Sequence, residues 1–183
     1  MAAERADSQR NRLRVLAAAE EVFDAQGSAA TTEEVARRAG VGIATVFRHF
    51  PTKQDLLEAV VLARLQRLVE AGRTILADGR PDGFFALFSL FMGEAAHKRV
   101  FGDVLTHAGE SFKSANKAIV DELWASFASL IQRGQEAGLV RAGFDVADVR
   151  ALLAGAHQAL QVIGDDPERQ RRLFEVLRAG VRA

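Results

Sequence analysis

Apolar residues recur along the whole chain at the three- and four-residue spacing of amphipathic helices, and no stretch alternates for long between apolar and polar positions. The chain has only 3 prolines and no tyrosine. This pattern predicts an all-α protein. The first predicted helix runs from about Ser8 to Gln26, and Gly27 ends it. The stripe expected to be buried on this helix is Leu13, Leu16, Ala19, Val22 and Phe23.

A pair of short helices follows, and small and polar residues mark where they begin and end. Thr31 is followed three residues later by Glu34, a capping box that predicts the start of the second helix. Gly40 can take the left-handed conformation that ends this helix. Ala36, Gly40 and Val46 lie at offsets of zero, four and ten, a spacing that suits two helices crossing steeply through a short turn. The sequence therefore predicts a helix-turn-helix unit.

The third and fourth predicted helices are separated by a proline. The third runs from about Ile43 to His49, and Pro51 stops it because the residue before a proline disfavours the helical region. The fourth begins near Thr52, with Asp55 at the third position of another cap, and continues to about Leu76. Its length suits a connector that belongs to both halves of the chain.

The rest of the chain is predicted to be a second helical domain. The segment ADGRPDG, residues 77–83, is the clearest linker. Asp145 with Asp148, and Asp166 followed by Pro167, predict the starts of the last two helices. We expect a helix-turn-helix domain over residues 1–53 and a helical domain over 54–183. The expected helices after the linker cover residues 84–97, 100–108, 114–137, 145–163 and a final stretch from 167.

Composition narrows the class of protein. The 24 basic residues are balanced by 24 acidic ones, which argues mildly against a nonspecific nucleic-acid coat but not against a sequence-specific reader. With no cysteine, disulfides and thiolate metal sites are excluded. No apolar run approaches the roughly 20 residues that span a bilayer. The polar N-terminus has no apolar signal core, so we expect a soluble cytoplasmic protein.

A helix-turn-helix unit typically places the outer face of its second helix in the major groove of DNA. Val46 and Phe50 are expected to face inward, whereas Arg48 is the best candidate for a bidentate contact with guanine. Thr45 suits base edges or phosphate, and Ile43 and Ala44 suit thymine methyl groups. The residues predicted to contact DNA are Thr31, Thr32, Ile43, Ala44, Thr45, Phe47, Arg48, His49 and Lys53.

Phosphate contacts position such a protein, and several groups are candidates for them. His49 and Lys53 lie where phosphates would pass, and Lys53 starts the fourth helix, whose N-terminus attracts anions. Thr31 and Thr32 hold the same place on the second helix. Arg10, Arg12 and Arg14 add a basic approach to the backbone. Three alternatives stay open: Phe47 in the core, His49 merely exposed, and three short helices that are only part of an all-α core.

The N-terminal third resembles the TetR family of bacterial transcriptional regulators. The matching positions are Phe23, Gly27, Thr31, Thr32, Val35, Ala36, Gly40, Val41, Gly42, Thr45, Val46, Phe47, Arg48, His49, Phe50, Lys53 and Leu56. One departure is Phe47, where the family commonly has tyrosine, so the phenolic hydroxyl that would bind phosphate is missing. The resemblance implies that the residues from about 54 onward form a helical ligand-binding and dimerisation domain.

The residues of this second half allow an apolar ligand pocket with a few polar groups. The predicted ligand-binding residues are Phe88, Phe91, Met92, Leu105, His107, Trp124, Phe127 and His157. The alternative is that the aromatic residues at helical spacing form an ordinary core. The last two helices are expected to form a four-helix dimer interface with a second copy. Its predicted residues are Leu152, Leu153, Ala156, Leu160, Phe174 and Leu177.

The sequence thus favours a homodimeric repressor that binds a palindromic DNA operator and is released by an apolar or amphipathic small molecule. We expect no cofactor, no metal and no membrane partner. An enzyme is disfavoured because no nucleophile–base pair, phosphate loop or carboxylate pair is recognisable. Two more hypotheses stay open. One is a nonspecific architectural DNA protein, and the other is a regulator without a ligand, whose second domain only dimerises or binds a protein.

Overall fold

The computed structural model of the chain describes residues 2–97, 110–164 and 166–183. Its regular elements in these ranges are helical, as predicted from the periodicity. The helices are α1 (Ala2–Gln26), a 3₁₀ turn (Gly27–Ala29), α2 (Thr32–Ala39), α3 (Ile43–His49), α4 (Lys53–Ala77), α5 (Gly83–His97), α6 (Glu110–Ala115), α7 (Lys117–Glu136), α8 (Val146–Ile163) and α9 (Pro167–Val181). The helix predicted over 100–108, with Leu105 and His107, lies outside the described residues.

Local capping chemistry sets the starts of α2, α4, α8 and α9 as predicted. The Asp55 carboxylate accepts hydrogen bonds from the Thr52 backbone at 2.9 Å and from its hydroxyl at 2.7 Å. Asp145 and Asp148 form a reciprocal capping box on α8. The Asp166 side chain accepts from two backbone N–H groups at the start of α9. These caps satisfy donors that a helix N-terminus leaves without a partner inside the helix.

Two helices differ from the expectation. α1 begins at Ala2 rather than near Ser8, because residues 2–7 are mainly good helix formers without glycine or proline. The long helix predicted over 114–137 is divided into α6 and α7 at Asn116, whose backbone is at φ −113° and ψ 23°. The Asn116 side chain donates to the Phe112 carbonyl at 3.0 Å. Such local bonding competes with helix continuation.

The first compact unit contains the described residues up to Ala63. Its core is formed by α1, α2 and α3 through Val15, Ala19, Val35 and Val46, all inaccessible to solvent. The predicted stripe of α1 is wrong at Leu13, which is 55% exposed. The inward face of α1 runs instead through Val15, Ala18, Ala19, Val22 and Phe23. The predicted helical period is confirmed, but the predicted start of the stripe is wrong.

The second compact unit begins at Arg64, within α4. Aromatic rings dominate its core. Phe84 stacks on Phe88 with ring centroids 5.6 Å apart and meets Phe144 edge-on at 5.7 Å. Arg64 of α4 is only 1% exposed, and its Nε lies 3.7 Å from a carboxylate oxygen of Glu94 on α5. This buried ion pair was not anticipated from the sequence.

Candidate nucleic-acid interface

The turn between α2 and α3 is built on a left-handed glycine. Gly40 has φ +63°, a conformation that costs a side-chain-bearing residue energy, and its N–H donates to the Ala36 carbonyl. The Val41 N–H donates to the same carbonyl at 3.1 Å. Gly42 then caps α3, where its carbonyl accepts from the Thr45 N–H at 2.9 Å. The backbone itself therefore sets the crossing of the two helices.

Arg14 of α1 holds this turn from outside. Its Nη2 donates to the Ala39 carbonyl at 2.7 Å and lies 3.4 Å from the Gly40 carbonyl. A cation at the C-terminal end of a helix also complements the helix dipole. The structure thus gives Arg14 a role in holding the turn, and its approach to the DNA backbone stays a prediction. Arg12 differs, with its guanidinium 5.1 Å from the centre of the Phe50 ring.

The outer face of α3 is open to solvent, whereas Val46 and Phe50 face inward as predicted. Ile43, Ala44, Phe47 and Arg48 are exposed. Residues three and four apart are neighbours on a helix surface, so the pairs Ile43–Phe47, Ala44–Phe47 and Ala44–Arg48 join the four side chains in one continuous patch. Phe47 could lie in the core or at the surface on sequence grounds; it is 42% exposed and therefore lies at the surface. We call these four residues the reading face.

Half-buried groups flank the reading face. Thr45 and His49 lie on its edges, and Lys53 begins α4. His49 borders a crevice of about 360 Å³ that is lined, on α1, by Ser8, Gln9, Arg12 and Leu13. Burial lowers the pKa of His49, and the nearby charges of Arg48 and Arg12 lower it further. Its imidazole is consequently neutral at pH 7, and the cations around it suit an anion such as a phosphate.

The N-terminus of α2 offers less to a phosphate than expected. The Thr31 hydroxyl donates to the Glu34 carboxylate at 3.1 Å and accepts from the Glu34 N–H at 3.3 Å. A hydrogen bond from Gln26, then one from the Thr31 backbone, lowers the pKa of Glu34, so that carboxylate stays charged at the helix start. Thr32 is buried. A contact from the Thr32 hydroxyl is thus disfavoured, and the Thr31 hydroxyl is already engaged.

The predicted ligand-binding residues fall into two places. Phe91, Trp124 and Phe127 pack against one another with ring centroids 5.7 to 6.3 Å apart, which is core packing and not a cavity wall. His157 is buried nearby on the same unit. Phe88 and Met92 line a separate cavity that also involves α9. The ordinary-core alternative therefore describes the aromatic cluster better than a pocket does.

Three of the six residues predicted for the dimer interface face inward. Leu153, Ala156 and Leu160 are buried within their own unit, and a buried side chain has no apolar surface to offer a second copy. Leu152, Phe174 and Leu177 are half-buried. The exposed face of α8 carries a different set: Ala151, Ala154, Gly155, Gln158 and Val162. The stripe on α8 was recognised from the sequence, but its larger side chains point into the protomer.

The described ranges contain no group of three or more histidine or acidic residues arranged to hold a metal ion. Among the helices of that part of the chain, none is both long and apolar enough to cross a membrane.

Comparison with known proteins gives a consistent family. Residues 15–60 match the model of bacterial regulatory proteins of the tetR family, and residues 80–183 match that of the SbtR-like transcriptional regulator C-terminal domain. The transcriptional regulator SrpR of Pseudomonas putida is 45% identical over 60 residues, which are 32% of this chain and 28% of SrpR. The chain thus spans under a third of that relative.

Two further likenesses extend over most of the chain. The uncharacterized regulator YvkB of Bacillus subtilis is 31% identical over 140 residues, covering 68% of this chain and 72% of YvkB. A crystal structure of a TetR transcription regulatory protein from Mycobacterium vanbaalenii superposes with a TM-score of 0.70 at 37% identity, covering 98% of this chain and 99% of that one. The chain belongs to the TetR family and is a DNA-binding transcriptional regulator.

The assignment of Arg14 to the turn generates a prediction. We expect Arg14→Ala to lower the free energy of unfolding by roughly 1 kcal/mol, because two carbonyls at the end of α2 lose a charged donor. Arg10→Ala is the control: Arg10 is exposed, pairs with Asp7 on its own helix, and should change stability by less than about 0.5 kcal/mol. Urea denaturation of both variants measures the difference. Equal stability of the two variants would contradict the assignment.

Proposed function

We propose that the chain is a homodimeric repressor that acts in the cytoplasm, binds a palindromic operator through α3 and leaves it when a small molecule binds the second unit. The observation that carries the proposal is the exposed reading face on a rigid turn. The exposed phenylalanine and isoleucine are neighbours on the helix and lie beside an arginine, and a contiguous apolar patch of this kind marks an interaction site. The major groove presents thymine methyl groups and guanine edges that match these side chains.

Each group of the interface has a proposed role. Arg48 reads a guanine edge with two hydrogen bonds, and Ile43, Ala44 and Phe47 contact thymine methyl groups. Phe47 has no hydroxyl and so adds no hydrogen bond to phosphate. His49 and Lys53 bind phosphates on either side, and Thr45 reaches a base edge or a phosphate. Thr32 contributes only through its backbone N–H group at the start of α2, and Thr31 contributes little, because its backbone N–H and its hydroxyl both donate to Glu34.

A dimer is proposed because one short helix covers few base pairs. Two copies related by a two-fold axis extend the site to two half-sites about one helical turn apart. The exposed face of α8 suits this contact, because its small residues let helices approach closely and Val162, 89% exposed, adds apolar area. Val176 on α9 is also exposed, and Leu152 and Leu177 are half-buried, so each offers some accessible apolar area to a second copy.

Release by a ligand is proposed through α4, which runs from the reading unit into the second unit. A ligand that favours one position of this helix shifts the protein between a DNA-binding and a non-binding conformer. Such coupling is reciprocal, so operator DNA lowers the affinity for the ligand by the same factor as the ligand lowers the affinity for DNA. The alternative is the same DNA-binding regulator without a small molecule, in which the second unit only dimerises or binds a protein.

The roles of Arg48 and Lys53 are tested by exchanging each for alanine. We expect Arg48→Ala to weaken operator binding by roughly 1–3 kcal/mol and to relax the preference at one base-pair position. Lys53→Ala is expected to weaken binding to operator and to unrelated DNA about equally, because phosphates carry no sequence information. Fluorescence anisotropy against a panel of single-base operator variants measures both. A change of base preference in Lys53→Ala would overturn the phosphate assignment.

The dimer surface is tested by placing a charge on α8. Val162→Glu should leave the fold intact, because the side chain is exposed, yet it places two carboxylates against each other across the two-fold axis. We expect the dimer to dissociate in sedimentation velocity and operator affinity to fall with it. Leu90→Glu, also an exposed apolar position but on α5, is the matched control and should stay dimeric. If both variants dimerise equally well, the exposed face of α8 is not the dimer interface.

A further inference from the structure

The second unit contains a cavity of about 340 Å³ between α5 and α9 that the sequence did not predict as a whole. We propose that this cavity binds an amphipathic small molecule with an apolar body and one anionic head group. The proposal rests on the proposed function in taking this molecule as the effector. The volume lies within the range of about 300–1,000 Å³ that is typical of small-molecule sites.

The floor of the cavity is apolar. Phe88 and Met92 of α5 form it from below, and both are almost completely buried. Phe174 of α9 closes one side and is half-buried. Two uncharged polar side chains of the lining already donate to the protein's own backbone: the Ser89 hydroxyl donates to the Phe85 carbonyl, and the Gln170 amide donates to the Gly164 carbonyl, each at 2.7 Å. An apolar body therefore fits this space better than a sugar or a nucleotide.

Gly93 keeps the cavity open. It lies inside α5, where glycine is less favourable than alanine, and its φ is not in the left-handed region. A Cβ built at this position would meet no atom of the described residues within 4 Å. Within that part of the chain, neither backbone conformation nor close packing accounts for a glycine here. Its effect is to leave room above the floor, and a larger side chain at this position would extend into that room.

The rim of the cavity carries an excess of positive charge. Arg171, Glu175 and Arg178 of α9 line it. Arg171 pairs with Glu175 at 2.8 Å. A guanidinium has five N–H donors, so Arg171 keeps donors for a ligand. Arg178 lies with its guanidinium 5.4 Å from the centre of the Phe85 ring, at the edge of the opening. The lining itself holds two guanidinium groups and one carboxylate. The nearby Asp82 carboxylate also interacts with the charge of Arg178, but it is paired with Arg80 at 2.8 Å. The remaining positive charge favours a carboxylate or phosphate head group at the opening.

A second copy of the chain fits this opening less well. The exposed face of α8 offers small and apolar residues, whereas the cavity rim presents three charged side chains that a protein interface would have to desolvate. The cluster of Phe91, Trp124 and Phe127 is filled by its own packed rings. The cavity between α5 and α9 is therefore the ligand site that the described residues favour.

The test uses the whole chain without DNA and three probes: decanoate, decyltrimethylammonium and acetate. Isothermal titration calorimetry should show decanoate binding at least about tenfold more tightly than the cation, because the rim is positive. Acetate should not bind measurably, since it lacks the methylene groups that enter the cavity. Equal binding of decanoate and the cation, or no binding of decanoate, would overturn the proposal.

Variants locate the site. Gly93→Leu should weaken the binding of decanoate at least about tenfold, because the larger side chain fills the cavity. Gly93→Ala is the matched control, and its affinity for decanoate should stay within about threefold of wild type, because it removes little volume. Arg171→Gln combined with Arg178→Gln should abolish the preference for the anion while the protein stays folded. If Gly93→Leu binds decanoate with wild-type affinity, the proposal is overturned. It is also overturned if Gly93→Leu no longer dimerises while Gly93→Ala still does, because the cavity would then be an interface between copies.

Binding to operator DNA is measured on the same variants without a ligand. Normal operator binding together with no decanoate binding overturns the cavity proposal and leaves the proposed DNA function intact. If the wild-type protein shows no sequence-specific DNA binding, the proposed function is wrong. The calorimetry then still shows whether the cavity binds decanoate.

Discussion

The interface depends on one backbone constraint, the left-handed turn at Gly40 that Arg14 holds in place. Gly40 reverses the chain at φ +63°, and the Arg14 guanidinium bonds to the carbonyls at the end of α2. A Cβ at residue 40 would also come within 3.0 Å of the Arg14 Nη2. Because α3 starts soon after this turn, its direction follows from it. The exposure of Ile43, Phe47 and Arg48 is a consequence of that direction.

The sequence was sufficient to predict features that depend on neighbouring residues. Thr31 with Glu34, Thr52 with Asp55, and Asp145 with Asp148 each bond within one turn, so their spacing alone identifies a helix start. The turn at Gly40 belongs to the same class. Helix α3 was predicted with the bounds that the structure has, and its end follows from a local signal, Pro51.

Features that depend on distant partners were predicted less well. Periodicity shows that a helix has an apolar stripe, but not whether that stripe meets its own protomer or a second copy, so Leu153 and Leu160 were placed on the wrong surface. Leu13 was misplaced because periodicity does not show where along a helix the buried stripe begins. The cavity between α5 and α9 joins Phe88 to Phe174 across a large distance in sequence, and only the fold brings them together. The buried pair of Arg64 and Glu94 is likewise a product of packing between α4 and α5.

The two units divide the work of a regulator, and α4 connects them. The first unit presents a small apolar and basic surface whose shape is set by the backbone. The second unit combines an aromatic core, an exposed small-residue face on α8 and an open cavity with a positive rim. Neutral overall charge is compatible with this division, because base contacts and not a general positive field select the site.

In vitro selection of a random DNA duplex library with the whole chain tests the central claim most directly. The account predicts enrichment of a palindrome with two half-sites about one helical turn apart, because two copies present their α3 helices together. Enrichment of a single unpaired half-site would contradict the dimer. Binding without enrichment of any sequence would contradict reading by α3 altogether.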